Sequence, residues 1–323
     1  MSKIPLLLAV ACAITIGCSD STEQPELSAI KLIDQHRGSY YRDSKKRESP
    51  ITNVSIRSTD FKDSDLQVLT NLSELVRLDL GKTQVTDVGL KQISRLSKLE
   101  SLNLYKTLVS DAGLSELAKL TSLQSLDLAD TSVSGTGLRK LEECAKLTKL
   151  ILMGSKITDD GIRGISDFKV LQHLDLRSTN VSDRGIQALA KLKTLKSLVL
   201  SSTKITDIGI KSLTTLSDLN SIDLSNTGIS DASVNSLATF KHVTTLDIGG
   251  TKVTDEGIRR LPRCKKLAEL SITDTNISDE AIEFLSNIQT LTFLNISHTM
   301  ITEQGALRLR KALPKCKLVT DGP

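Results

Sequence analysis

Aromatic residues are nearly absent: the 323-residue chain has five Phe, three Tyr and no Trp. A surface that stacks on nucleobases or sugar rings has little to be built from. Cysteine is scarce as well. Five Cys with no Cys-x-x-Cys pair, and four His, give poor support for a zinc centre or a redox pair. No large excess of one charge exists. Lys and Arg number 42 against 38 Asp and Glu, a net +4, so no chain-wide electrostatic case for nucleic acid arises. A hydrophobic share of 39% with 25% charged residues fits a soluble fold and excludes a multispan membrane protein.

The N-terminal apolar run, Ile4 to Ile16, has 13 residues. That is too short for a spanning helix, which needs ~20. Lys3 before it makes a signal-peptide pattern. The run ends in Thr15-Ile16-Gly17-Cys18, followed by the polar stretch Ser19 to Gln24. This segment resembles a bacterial lipoprotein lipobox, although that family prefers Leu where Thr15 stands. The resemblance implies cleavage before Cys18 and acylation of its sulfur with diacylglycerol, hence a lipid-anchored, extracytoplasmic protein of the bacterial envelope. Simple secretion is the alternative. The expected divisions are a leader at 1–17, a tether and N-terminal cap at 18–50, a repeat domain at 51–313, and a C-terminal cap and tail at 314–323.

The repeat is the strongest signal. Thr59, Thr83, Thr107, Thr131, Ser155, Thr179, Thr203, Thr227, Thr251, Thr275 and Thr299 stand 24 residues apart, eleven registers without insertion or deletion. Around each recurs L-x-x-L-x-L-x-x-T-x-[VI], as in Leu75, Leu78, Leu80, Thr83 and Val85. Leu78 and Leu80 alternate with polar residues and predict a short strand with one buried face. Copies must stack in parallel, because one repeat cannot bury its apolar side alone. The hydroxyl at Thr83, retained by Ser155, is expected to bond to backbone of the adjoining turn.

The second half of each repeat predicts a short helix. Residue 86 and its counterparts through 302 are all Ser or Thr, suiting an N-cap. Asp follows at nine of eleven registers, where it offsets the helix dipole; Gly135 and Glu303 are the exceptions. Two residues further on the position is Gly in eight registers, which points to a steric limit between neighbouring helices. Leu90, Ile93 and Leu96 continue at helical spacing.

This [ST]-D-x-G-[LI]-x-x-L signature resembles the leucine-rich repeats found beside F-boxes and in many bacterial surface and secreted proteins. The resemblance covers residues 51 to 313 and no F-box is apparent before them. It implies an α/β solenoid, or horseshoe: a parallel concave sheet with short convex helices, used as a non-catalytic binding scaffold. At the N-terminal end, Pro25 to His36 predicts a helix with Leu27, Ile30 and Ile33 on one side, ended by Gly38. Tyr40 to Arg42 is expected to add a strand. At the other end Pro314 stops a helix, and Lys317 to Val319 forms a last strand.

Cys144 and Cys264 fall in a column otherwise held by Leu, so they read as buried hydrophobes. Five repeats separate them, roughly 24 Å at ~4.8 Å per strand, beyond disulfide reach. Cys316 lies about two repeats further on, and three free thiols are expected. Ser197, His173 and Asp175 could be set out as a nucleophilic cluster, but no glycine nest marks an oxyanion site, and they read as solvated polar residues. One Asp per repeat does not supply the six or more converging oxygens of a calcium site. Neither metal nor cofactor is expected. Five Asn-x-Ser matches, such as Asn180-Val181-Ser182 and Asn276-Ile277-Ser278, mostly follow from the repeat consensus and receive no function.

The concave face, formed by residues 77, 79, 81 and 82 and their counterparts, is where a partner should bind. Tyr105, Ile151, Met153 and Val199 replace polar residues there and suggest an apolar contact cluster. Asp175, Arg177, Asp223 and Asp247 are the charged candidates. Arg57, Arg77, Lys82, Lys106 and Lys149 face Asp79, Asp127 and Asp130 in these columns in the first half. The last repeats carry Asp223, Asp247, Glu269 and Asp274 without Lys or Arg, a gradient that would orient a partner. The partner class is a protein or another envelope macromolecule, with no nucleic acid expected. The alternative is a structural or assembly component using flank or ends, and a hydrolase is the remote one.

Overall fold

The computed structural model describes residues 23–44 and 49–321. The leader 1–17, the acylation site Cys18 and most of the tether lie outside the described residues. The chain starts with helix α1 (Glu23–Gln35), then strands β1 (Ser39–Arg42) and β2 (Ile51–Ser55). Every later strand has three residues: β3 (Arg77–Asp79), β4 (Ser101–Asn103), β5 (Ser125–Asp127), β6 (Lys149–Ile151), β7 (His173–Asp175) and β8 (Ser197–Val199). The series continues through β9 (Ser221–Asp223), β10 (Thr245–Asp247), β11 (Glu269–Ser271), β12 (Phe293–Asn295) and β13 (Lys317–Val319).

All thirteen strands form one sheet in chain order. From β2 onward each pair is parallel and shifted by one repeat, as when Arg77, Leu78 and Asp79 face Ser101, Leu102 and Asn103. The expected all-parallel sheet has one departure. β1 runs antiparallel to β2, with a bulge at Tyr41/Arg42. The short connection from β1 cannot make the crossover that a parallel neighbour needs.

The strand leucines, the helix positions Leu90 and Ile93, and their repeats bury one continuous core from Ala29 to Leu313. The convex segments are short. Some are α-helical, such as Asp87–Ile93 and Asp207–Leu213, whereas Leu138–Glu143 is a 3₁₀ helix. So few residues give little cooperative helix stability of their own, and packing selects the form. The Thr83 hydroxyl donates to the Leu80 carbonyl at 2.7 Å, and Ser155 does the same to Leu152 at 2.7 Å. One residue earlier the chain turns through the left-handed region, with φ of 65° at Lys82, 54° at Lys106 and 55° at Ser178. Each of these residues donates its N–H to a carbonyl of the next repeat, which holds the turn against its intrinsic cost.

The Asp column does more than offset a dipole. Asp87 Oδ1 accepts the Ser110 N–H at 2.8 Å and Oδ2 accepts the Ser110 hydroxyl at 2.6 Å. A carboxylate of one repeat thus holds the helix start of the next. The rung recurs from Asp63 and Thr86 to Asp279 and Thr302, nine times among the described residues. It fails where Gly135 replaces Asp: the Thr158 N–H goes instead to the Ser134 carbonyl at 3.2 Å. The glycine column meets the steric limit expected between neighbouring helices, and the ladder shows which atoms set it. A Cβ on Gly113 would stand 2.5 Å from Asp87 Oδ1, so the preceding carboxylate sets the limit there.

The N-terminal cap differs from the expected detail. Ile33 and Ala29 are buried, but Leu27 is 51% exposed and lies off the packed face. Arg37, at φ 54°, takes the left-handed position expected of Gly38. Gly38 is small for another reason: a Cβ there would meet the Ser55 carbonyl at 2.7 Å. The C-terminal helix Glu303–Ala312 precedes Pro314, and β13 closes the sheet as expected. Cys144, Cys264 and Cys316 are free thiols, the first two buried, and burial pushes both of those up to about 11.

Candidate functional site

The leucines of each strand turn inward, so the residues between and beside them face the concave side. The column containing Asp79 first serves the backbone. Asp79 Oδ1 accepts the Gly81 N–H at 3.0 Å, and Asp127 and Asp175 accept the N–H groups of Ala129 and Arg177, both at 2.9 Å. Asp223 and Asp247 repeat the bond at 3.0 and 2.9 Å, and Asn103 accepts the Tyr105 N–H at 2.8 Å. The side chains of Ile151 and Val199 cannot accept a hydrogen bond, so these two repeats give up that turn bond for apolar surface.

Tyr105, Ile151, Met153 and Val199 are all half-buried on this face, but they do not make one cluster. Register places Asp175 between Ile151 and Val199. Tyr105 and Met153 share a column two repeats apart, and the buried Ala129 lies between them. The apolar surface is therefore a run from Tyr105 to Met153 floored by Ala129, broadened by Ile151, with Val199 set apart beyond Asp175. Ala129 was missed as a member. Reading its column at 24-residue spacing would have found it. The Lys82 ammonium lies 5.9 Å from the Tyr105 ring centroid, a cation–π contact at the rim of this run.

The charges also sort. In the first half, Arg57 Nε is 3.8 Å from Asp79 Oδ2, and Arg177 Nη2 is 3.8 Å from Asp175 Oδ2. Burial raises the Asp127 carboxyl above its ordinary value; the Ala129 N–H and Lys149 oppose this, while Asp175 and Asp79 add to it. In the second half, burial raises Asp247, the Gly249 N–H opposes, and neighbouring Asp223 adds to the rise. The acidic end thus holds charge under mutual repulsion, with Asp274 beside His298 at 3.1 Å.

His173 faces Ser197 across β7 and β8 and is next but one to Asp175 in its strand. Among the described residues no hydrogen bond joins these three side chains. Burial, then Lys149 and Lys196, hold the His173 imidazole below its ordinary value. A nucleophile and base in working contact are not present. Among the described residues no group of three or more His, Cys, Asp or Glu is arranged to hold a metal.

The model of the leucine-rich repeat region matches residues 55–317, and the chain belongs to the leucine-rich repeat proteins. A search of curated proteins gives no match. Among solved structures, an internalin (inlF) from Listeria monocytogenes is 21% identical, with a TM-score of 0.57; the alignment covers 91% of this chain and 94% of the internalin. A second Listeria internalin, internalin C2, is 23% identical at a TM-score of 0.45, covering 72% of this chain and 83% of its own. The plant peptide hormone receptor RGFR1, solved in complex with RGF2, is 17% identical at a TM-score of 0.48, covering 86% of this chain and 52% of the receptor. At these identities the likeness is one of fold. No helix among the described residues is long and apolar enough to cross a membrane.

Proposed function

We propose that this chain is a non-catalytic scaffold of the bacterial envelope that binds a protein through its concave face while acylated Cys18 anchors it outside the cytoplasm. The carrying observation is the half-buried apolar run of Tyr105, Met153 and Ile151, floored by the buried Ala129, on a face that is otherwise mostly polar. Half-buried apolar side chains on a rigid sheet are poised to be covered by a partner at little ordering cost. Asp175 and Arg177 adjoin the run, Asp223 and Asp247 lie further along the same face beyond Val199, and these charges set the partner's direction. In this reading residues 18–50 are tether and cap, 51–313 the binding solenoid and 314–323 its closure.

The test is the double change Ile151→Asp and Met153→Asp. Both side chains face away from the core, so the fold should survive with a stability change within about 1 kcal/mol. Affinity capture from native envelopes should lose the partner, with at least ~10-fold weaker binding. Leu150→Ala or Leu152→Ala on the buried side should instead cost about 2–5 kcal/mol of stability. A partner retained by the folded double variant would remove this run as the contact. For the anchor, Cys18→Ser should abolish incorporation of labelled fatty acid and release the chain from the membrane fraction. A wild-type chain that takes up no label would overturn the acylation reading.

A further inference from the structure

The two flanks of the solenoid, where strand passes to helix and where helix returns to strand, carry opposite charge. Constant register stacks equivalent residues along each edge. On the return side the N–H groups of Gln124, Thr148, Gln172 and Lys196 each donate to the carbonyl of the equivalent residue one repeat earlier, which lines the edge up. Consider the nine repeats from 84 to 292. The four return-loop positions, 95, 97, 98 and 100 with their counterparts, hold twelve Lys or Arg against four Asp or Glu, a net +8. Positions 84, 87 and 88 with their counterparts, on the opposite flank, hold four against eleven, a net −7. The chain's small overall charge conceals this separation.

The acidic flank is accounted for by the fold, because most of its carboxylates are the rungs of the Asp ladder. Two of its three more exposed members are also engaged, Asp160 at 3.2 Å from Arg184 and Glu256 at 2.9 Å from Arg260, which leaves Glu280 outside any ion pair among the described residues. The basic flank has no such account. Of its twelve cations, only Lys98 and Lys119 have a carboxylate within 4.0 Å among the described residues. Lys146, Lys169, Lys191, Lys193, Lys241 and Lys265 are exposed and stack along one edge, where their repulsion is a cost the fold does not recover.

We infer that the return-loop flank is a docking surface for an anionic lipid bilayer. Ten of the twelve cations are Lys, compact point charges that suit a diffuse field of headgroups and need no fixed bidentate geometry. The edge is made of equivalent loops in one register, so its cations are presented in succession along one side of the solenoid. Near its middle Val170, 36% exposed beside the nearly buried Phe168, supplies an apolar tip among the lysines. Exposed aromatics for stacking on nucleic acid are missing there: Phe168 and Phe240 are 6% and 5% exposed. A second copy of the chain would have to offer its acidic flank, whose carboxylates, Glu280 apart, are already held in the ladder or in ion pairs. The inference does not depend on Cys18, and docking by the flank leaves the concave face open.

The lack of Trp makes a direct test possible. Val170→Trp puts one reporter on the basic flank, and Ala232→Trp puts one on the exposed acidic flank. In the full chain, vesicles of phosphatidylglycerol and phosphatidylcholine should shift the Val170→Trp emission to the blue, while phosphatidylcholine alone should not. Added salt should reverse the shift, and the Ala232→Trp emission should not move. Adding Lys146→Glu, Lys169→Glu, Lys191→Glu and Lys265→Glu should weaken the response at least ~100-fold, since each juxtamembrane cation is worth about fivefold, with circular dichroism unchanged. An absent shift, or one equal on neutral vesicles or at both reporters, overturns the inference. So does a shift produced by duplex DNA at lower phosphate concentration than vesicles, or by salt-sensitive dimerisation without lipid.

Discussion

The junction between Asp207 and Ser230 and the junction between Gly135 and Thr158 occupy equivalent places and are built differently. At the first, Asp207 accepts the N–H and hydroxyl of Ser230 at 2.8 and 2.6 Å, and the N–H and hydroxyl of Ser233 as well. At the second there is no carboxylate. Gly135, at φ 99°, lets the backbones close until a Cβ on it would strike Ile157 and Gly161. One junction is held by polar side-chain bonds and the other by backbone proximity. In a solenoid, stability is close to a sum of repeat and nearest-neighbour terms, so a local difference of this kind stays local. The backbone-held junction also adjoins the repeat that bears Ile151 and Met153.

The largest expected effect comes from forcing the second junction to resemble the first. Gly135→Asp does not restore a rung. The new side chain needs a left-handed backbone and the space held by Ile157 and Gly161, and it should destabilise the chain by roughly 3–5 kcal/mol in chemical denaturation. Unchanged stability would mean that the backbones can part to admit a carboxylate. Next comes removal of a rung: Asp207→Ala leaves the donors of Ser230 and Ser233 without their acceptor and should cost about 2–3 kcal/mol. A loss below about 0.5 kcal/mol would show that the ladder is dispensable.

The smallest effect separates flank from concave face by acid. Burial favours protonation of Asp111, but the N–H and O–H donors of Gly137, Ser134 and Gly135 outweigh it and lower its pKa. Asp207 is lowered in the same way by Ser230 and Ser233. A lowered native pKa means that these groups stabilise the fold above the unfolded value, about 3.9, and that this contribution is lost as pH falls through the native value. Asp127 and Asp247 are raised, so they have the opposite sign and disfavour the fold near neutrality. Asp207→Ala should therefore flatten the acid limb of a stability–pH curve. Asp247→Asn should change neutral stability by less than about 1 kcal/mol, in the stabilising direction, since Asn103 and Asn295 make the same turn bond. Marked destabilisation by Asp247→Asn would reverse the assigned sign.

Which features could be read from residues alone follows from their range. Leu78, Leu80 and Thr83 act within one repeat, and periodicity reports them directly. The Asp ladder joins Asp87 to Ser110, 23 residues on, across two columns that each already had a local explanation as dipole partner and N-cap. The exceptions were the clue. Gly135 stands where the rung is missing, and Glu303 starts the helix that leads to the closing strand. The apolar run was half visible, because Ala129 looks unremarkable until the sheet places it between Tyr105 and Met153. The flank charges disappear in a net total and emerge only when positions are grouped by edge. Leu27 was misplaced because the cap helix packs on the end of the sheet through Ala29 and Ile33, and no repeat column fixes its orientation.

The rungs also make the solenoid divisible. Cutting one full period between a Ser or Thr and the following acid leaves a junction of the same type, so length can change in whole modules. Excision of residues 135–158 is a special case. Ser134, held by Asp111, would then lead directly into Asp159, which already holds Ser182. The shortened protein would have an uninterrupted ladder, and the module lost would be the one that carries Ile151 and Met153. The one seam without a carboxylate rung among the described residues and the candidate contact surface would leave together, as a single cassette.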